Sequence, residues 1–371
     1  MRRILVINGI VLIGLFVTLE VLSGYAIVSK LRFKKLYLLE LISMSKIFTR
    51  PIISDRLTRV KELRLSGNAD VFPSYLYDSQ VHPLGSKYWL SNPPNSLIVH
   101  CEEGSGMTEF RTNSFGFRKV PNQDLSKPID LVLIGDSYTE GACVNSPYDI
   151  ASVIEAKTNS NILNLGRGGT GPLFEFALLK ELKEFFGSNN ISFTKDARLV
   201  WIFFTGNDLE NLAEEKSSSL SNYFNEDYTT NYFREIMNIN ESMRKFYEAV
   251  ILNPSLNSKI SNHGYGETVA VPFSISEQVA IEDLGRLINK AKGVVNSMNL
   301  NFSIFVLTNH PSYGTKKQER TQKAIAEGCT QEDVKCTFYS LENKQMKTNH
   351  LDELGYNKLS DEIIKSYNLK K

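Results

Sequence analysis

Short segments carry the residue types that acyl transfer needs. Gly135-Asp136-Ser137 closes an apolar run that starts at Ile129. A glycine loop, Gly166-Arg167-Gly168-Gly169-Thr170-Gly171, follows a second apolar run, and Gly206-Asn207-Asp208 follows a third. Histidine comes after later runs, at Asn309-His310-Pro311 and again at Asn349-His350. A serine hydroxyl can attack an ester carbonyl when a histidine takes its proton. Backbone N–H groups and an amide side chain can hold the oxyanion that develops. Each segment alone has a plainer reading. Asp136 or Ser137 would cap a helix, Asn207 would cap another, and Asp208 would bond to backbone in its own turn. Those readings do not explain why all the segments stand at the ends of apolar runs.

The elements that must position these residues follow from the pattern. Strand-like runs occur at 129–134, 161–165, 199–205, 302–308 and 337–341. Amphipathic helical patterns lie between and after them, at 172–186, 276–298, 316–327 and 352–367. Apolar strands alternating with helices predict a parallel sheet covered on both faces. The expected fold class is α/β, a three-layer α/β/α flavodoxin-like domain over 128–371. In such open sheets chemistry sits at the carboxyl ends of the strands. A helical insertion or lid is expected at about 209–275, where Tyr223, Phe224, Tyr228, Tyr232, Phe233 and Tyr247 gather.

Four blocks in order resemble the SGNH (GDSL-type) hydrolases. "IGDSYTEG" is similar to the first block, "NLGRGGTG" to the second, "TGND" to the third and "HLDELGY" to the last. The resemblance implies Ser137 as nucleophile and His350 as general base. It implies an oxyanion hole from Asn207 and a glycine N–H, Gly169 by the usual count, with Gly168 as the neighbour. It covers roughly Asp130 to the C-terminus. The family usually has an aspartate two or three residues before the histidine, to orient the imidazole. Here Lys347 and Thr348 stand there. Glu342, Asp352 or a backbone carbonyl are the substitutes near in sequence. The resemblance implies a serine esterase or O-acyltransferase working through an acyl-enzyme on a small-molecule or polysaccharide ester. A lipase or thioesterase is the enzymatic alternative. A degenerate polysaccharide-binding or scaffold domain is the other. No metal or organic cofactor is implied.

His310 also follows a strand and is a rival base, since geometry decides before residue type. His82, His100 and His263 lie in irregular segments and read as surface or packing residues. Arg111 and Arg118 could meet a carboxylate or sugar, or tie a loop down by a salt bridge. The glycine loop also matches Gly-x-Gly-x-x-Gly. The dinucleotide reading fails because no acidic residue ends a strand about twenty residues further on. With a net charge of +1, nothing argues for a nucleic-acid partner.

The N-terminus is different in kind. After Met1-Arg2-Arg3, the chain from Ile4 to Val28 is apolar apart from Asn8 and Glu20. That is long enough to span a bilayer, so residues 1–29 are expected to be a transmembrane anchor or a cleaved signal peptide. Arg2 and Arg3 argue for one orientation, and Lys30, Arg32, Lys34 and Lys35 for the other. The short basic leader points to an extracytoplasmic (periplasmic) catalytic domain. Residues 30–127 are expected as a juxtamembrane helix followed by irregular structure with small strands. Within them Asn113-Ser114-Phe115-Gly116 reads as a tight turn. Of the cysteines Cys101, Cys143, Cys329 and Cys336, the last two are spaced to close a small loop in an oxidising compartment.

Overall fold

Strands buried on both faces carry apolar side chains at successive positions, and the long central runs of this chain do so. The computed structural model describes residues 50–74, 89–103, 106–188, 191–252, 277–346 and 349–369. It opens with a helix, α1 (Arg50–Leu65), and a three-stranded sheet of β1 (Val71–Pro73), β2 (Leu97–Glu102) and β3 (Met107–Arg111). Then come β4 (Ile129–Gly135), α2 (Ser137–Glu140), α3 (Ile150–Thr158), β5 (Ile162–Asn164), α4 (Pro172–Ser188) and β6 (Phe193–Phe204). After them run α5 (Asp208–Lys216), α6 (Ile236–Leu252), α7 (Glu277–Ser297), β7 (Asn301–Thr308), α8 (Thr315–Gln331), β8 (Lys335–Ser340) and α9 (Glu353–Tyr367).

The second sheet is parallel throughout, in the order β5-β4-β6-β7-β8. The chain order reverses beside β4, which places the switch-point crevice at the carboxyl ends of β4 and β6. Alternate residues enter different cores, as the period of two requires. Leu131 and Leu133 join Val200, Ile202, Phe305 and Leu307, under α3 and α9. Val132 and Ile134 join Leu199, Trp201, Phe203, Ile304 and Val306, under α4, α7 and α8. This is the expected α/β/α arrangement. Each such side chain contributes about 1.5–3 kcal/mol by leaving water. Trp201 also donates from Nε1 to the buried Glu175 Oε2 at 2.5 Å. Trp201→Ala would leave both a cavity and an unpaired acid, a cost of at least about 3–5 kcal/mol.

The strand boundaries differ where packing outranks pattern. β6 begins at Phe193, ahead of the expected start, because Phe193 pairs with Ile129 at the start of β4, while the polar residues that follow it stay partly exposed. β5 is shorter than expected and lies at the edge. The region of the expected insertion is helical in its described part and is fastened down. Glu181 on α4 accepts hydrogen bonds from the Tyr223 hydroxyl, the Thr230 N–H and the Tyr232 N–H. Lys180 donates to the carbonyls of Asn225 and Glu226. Tyr223, Tyr232, Phe233, Met243, Phe246 and Tyr247 belong to the same core as the sheet face beneath them. That described part packs as structural cover.

The small sheet packs into that core too, through Val71, Phe72, Ile98, Val99 and Phe110. Its turn at Gly116 is the expected one. Asn113 Oδ1 accepts the N–H groups of Phe115 and Phe117, and Gly116 has φ +84°, where a Cβ would strike the Asn92 carbonyl. Among the described residues no helix is long and apolar enough to cross a membrane. The segment 1–29, expected as an anchor, lies outside the described residues, as do His82 and His263. All four cysteines are paired, Cys329 with Cys336 and Cys101 with Cys143.

Candidate active site

β4 ends at Gly135, whose φ of +155° suits only glycine, since a Cβ there would meet Thr139 Oγ1 and the Ile202 carbonyl. The chain can therefore turn sharply into α2 with Ser137 as its first residue. Asp136, not Ser137, supplies the cap, its Oδ1 accepting the Tyr138 N–H at 2.9 Å. The serine hydroxyl is left for another partner. That partner is His350, whose Nε2 lies 2.9 Å from Ser137 Oγ.

The other ring nitrogen, Nδ1, lies 2.8 Å from Glu103 Oε1. Glu103 Oε2 accepts the backbone N–H groups of His350 at 3.0 Å and Asn349 at 3.1 Å. A carboxylate at Nδ1 assigns the proton to that nitrogen, so Nε2 is the acceptor facing the serine. The side chains of Glu103 and His350 are only 13% and 19% exposed, so this polar chain is largely screened from water. Neither substitute near His350 in sequence takes the role. Glu342 pairs with Lys344 at 3.0 Å. Asp352 caps α9 by accepting the Gly355 N–H. The acid comes instead from the end of β2 in the other sheet, 247 residues upstream. The available sequence signal was indirect: a short apolar run ending in Cys101-Glu102-Glu103-Gly104, with a second cysteine, Cys143, six residues after Ser137.

His310 does not approach the serine. Its Nδ1 accepts the Ser312 N–H at 3.1 Å and its Nε2 faces the Asn349 carbonyl at 3.0 Å. The proton is thus on Nε2, and burial lowers the affinity of the ring for a second one. The Tyr138 hydroxyl donates to the same carbonyl at 2.8 Å. Together they clamp the residue next to His350.

The glycine loop has few free donors. Gly166 N–H goes to Asn164 Oδ1, Arg167 N–H to the Gly135 carbonyl, Gly168 N–H to Glu140 Oε2 and Gly171 N–H to Glu215 Oε1. Among the described residues the N–H groups of Gly169 and Thr170 have no acceptor. This separates Gly169 from Gly168. Asn207 occupies the cap position of α5, yet its side chain makes no capping bond, and its Oδ1 is buried without a partner. Asp208 does the structural work there, accepting the Phe204 N–H at 2.7 Å. Arg118 is buried, donates to the carbonyls of Gly141 and Val144, and pairs with Asp149 at 3.2 Å. It holds the loop after α2. Arg111 is exposed.

Burial biases several acids beneath the site toward the neutral form. Burial pushes Asp136 up to about 7 and Glu215 up to about 8. It also raises Glu175 and Asp208 well above the carboxylate range. One oxygen each of Asp136, Glu175 and Asp208 is buried without a partner, so burial weighs against the charged form of each. Among the described residues, Glu103, Cys143 and His350 bring possible ligand atoms close together. Cys143 is already in a disulfide, so its sulfur is not a thiolate ligand, and Glu103 and His350 are hydrogen-bonded to each other.

Among solved structures, the chain is similar to a lipolytic protein of the G-D-S-L family from Desulfitobacterium hafniense. The identity is 12% over 64% of this chain and 98% of that one, with a TM-score of 0.36. It is also similar to the psychrotrophic esterase EstA from Pseudoalteromonas sp., at 9% identity over 64% and 96% of the chains, with a TM-score of 0.34. A third is a carbohydrate esterase whose active site displays divergent catalytic and non-catalytic binding functions, at 12% identity over 74% of each chain, with a TM-score of 0.36. No family model and no curated protein matches the chain.

Proposed function

We propose that the protein is a serine-dependent ester hydrolase or O-acyltransferase. The observation that carries this is the unbroken chain from Ser137 Oγ through the His350 ring to Glu103. Ser137 Oγ attacks the ester carbonyl carbon and its proton passes to His350 Nε2. Glu103 holds the ring in the required tautomer and balances the imidazolium charge. The Ser137 and Gly169 N–H groups and the Asn207 amide receive the oxyanion. The tetrahedral intermediate then expels the alcohol, which takes the proton from Nε2, and an acyl-enzyme remains. Water or an acceptor hydroxyl, activated by the same histidine, attacks the acyl carbon and releases Ser137.

The reading of a degenerate binding domain rested on the lack of an acid, and Glu103 removes that reason. Our reading extends to an acylated carbohydrate as substrate, to anchoring through residues 1–29, and to an extracytoplasmic site. Two disulfides support the last, because they persist in oxidising compartments. The test is a fluorophosphonate probe on the full-length chain beside Ser137→Ala and His350→Ala. Labelling of the parent that vanishes in both variants is the expected result. An unlabelled but folded parent would overturn the proposal.

A further inference from the structure

Glu103 directly follows a strand of the small sheet and Ser137 follows a strand of the large one, with no strand ladder between those sheets. A triad acid must nevertheless be registered against its histidine and serine to a fraction of an ångström. We propose that the Cys101–Cys143 disulfide, with the His100–Glu140 contact beside it, is the positioning device that provides this register. The inference rests on the esterase reading above.

Cys101 lies two residues before Glu103, on the part of β2 where the ladder with β3 shifts register between Val99 and Glu102. Such bulges re-aim side chains, and they also weaken the hold of the sheet on the strand end. Cys143 lies six residues after Ser137, just past α2, in the left-handed region at φ +62°. The bond therefore joins the acid-bearing strand end to the segment that carries the nucleophile. Among the described residues the apolar cluster around it is Cys101, Ala142 and Cys143, separate from both large cores. The large core holds β2 through Ile98 and Val99, and beyond Val99 the covalent link and buried polar contacts add register at the strand end.

Those contacts converge on the same joint. His100 is fully buried, and its Nδ1 accepts the Cys143 N–H at 3.4 Å. Its Nε2 lies 3.2 Å from Glu140 Oε2, the oxygen that also accepts the Gly168 N–H at 3.1 Å. One strand end thus reaches both the nucleophile segment and the glycine loop. Cys143 Sγ is 3.6 Å from His350 Nδ1, so the disulfide also lies against the nitrogen that faces Glu103. Opening it would free the strand end to move Glu103 while Ser137 and His350 stay on the large sheet. Activity would then depend on an oxidised joint, without the fold depending on it.

The test uses the full-length chain and p-nitrophenyl acetate across pH, with C101S/C143S, Glu103→Gln, the combination of all three, and C329S/C336S as control. Removing the disulfide is expected to lower kcat about ten- to a hundredfold with little change in KM. The acid limb of the kcat/KM profile moves as in Glu103→Gln, and in the Glu103→Gln background the cysteine changes cost nothing further. The C329S/C336S control keeps the parent rate. A C101S/C143S protein with parental kcat and pH profile would overturn the proposal. So would a loss of the same size in both backgrounds, which would mark a general structural effect. Should C101S/C143S fail to fold, dithiothreitol is applied to folded C329S/C336S. Two hydrogens pass to the sulfurs of Cys101 and Cys143 as the reagent closes to its cyclic disulfide. Loss of rate that reverses on reoxidation, and only when Glu103 is present, is then expected. An unchanged rate of the reduced protein overturns the proposal. A parent that neither turns over the ester nor takes the fluorophosphonate sinks the esterase reading itself. An active parent with indifferent cysteines sinks only this inference.

Discussion

Glu103 Oε1 lies 2.8 Å from His350 Nδ1 although 247 residues separate them in the chain. The acid that a histidine base needs is present, but it enters from a separate sheet. Glu103→Gln is therefore expected to be the informative substitution. A glutamine amide at Nδ1 can donate as well as accept, and it favours the tautomer with the proton on Nε2, where it cannot take one from serine. The expected fall in kcat is about 10²- to 10⁴-fold at neutral pH, with KM nearly unchanged and the fold intact. Steady-state kinetics with melting curves check it, and a Glu103→Gln protein with parental kcat would remove Glu103 from the mechanism.

Asn207 and Gly169 are expected to act on the transition state alone. Asn207→Ala should lower kcat about 10²- to 10³-fold and leave KM within a few-fold, the behaviour of a lost oxyanion donor. Its stability should hardly fall, because the side chain makes no capping bond. A matched loss in kcat and Tm would instead mark Asn207 as part of the turn. Gly169→Ala is a harder change, since φ is +73° there, so Asn207 is the better probe.

His310 is expected to behave as a clamp. Its Nε2 donates to the Asn349 carbonyl, and Gln can supply the same donor. His310→Gln should keep activity within a few-fold and His310→Phe should lose about tenfold, with fluorophosphonate labelling retained in both. His350→Ala should abolish labelling. Loss of labelling in His310→Gln would reverse the two histidines' roles.

The buried acids set a pH dependence of stability with a definite sign. Asp136 rises from 3.8 to about 7 and Glu215 from 4.5 to about 8. Between those values the folded chain holds protons that the unfolded chain has released, so stability falls as pH rises. The contribution is complete below about pH 4 and is lost through pH 7 to 8. For these groups the unfolding midpoint in urea is expected to be higher at pH 6 than at pH 8.5. Asp136→Asn keeps the Oδ1 cap and should flatten the difference. A parent midpoint that rises from pH 6 to pH 8.5 would mean these acids are ionised in the folded state.

Much of the site was legible because its parts are local. Ser137 and Asn207 each stand in a block next to a strand end, and His350 stands in a block between the last strand and the last helix. An apolar run closed by glycine and a polar residue reads the same before and after folding. The three-layer α/β/α fold was legible for a related reason. Strands such as 129–135 and 301–308 are buried on both faces, so their apolar pattern is nearly continuous. The rest depended on contacts between distant segments. Nothing in the neighbourhood of Glu103 marks it as an acid for His350, because its role is set by where β2 lands against the large sheet. The pairing of Cys101 with Cys143 is likewise a statement about two sheets meeting.

The choice between His310 and His350 was a further case. Both follow strands, and only the packed structure turns one ring onto the Asn349 carbonyl and the other onto Ser137. The sequence by itself determined the layered fold, the serine at the switch point and the set of groups able to hold an oxyanion, because these follow from residue type and period along the chain. The tertiary structure alone decided which histidine meets the serine, which acid meets the histidine and which cysteine lies against both. Those are distances across the fold, and a hydrogen bond is made or lost within a few tenths of an ångström.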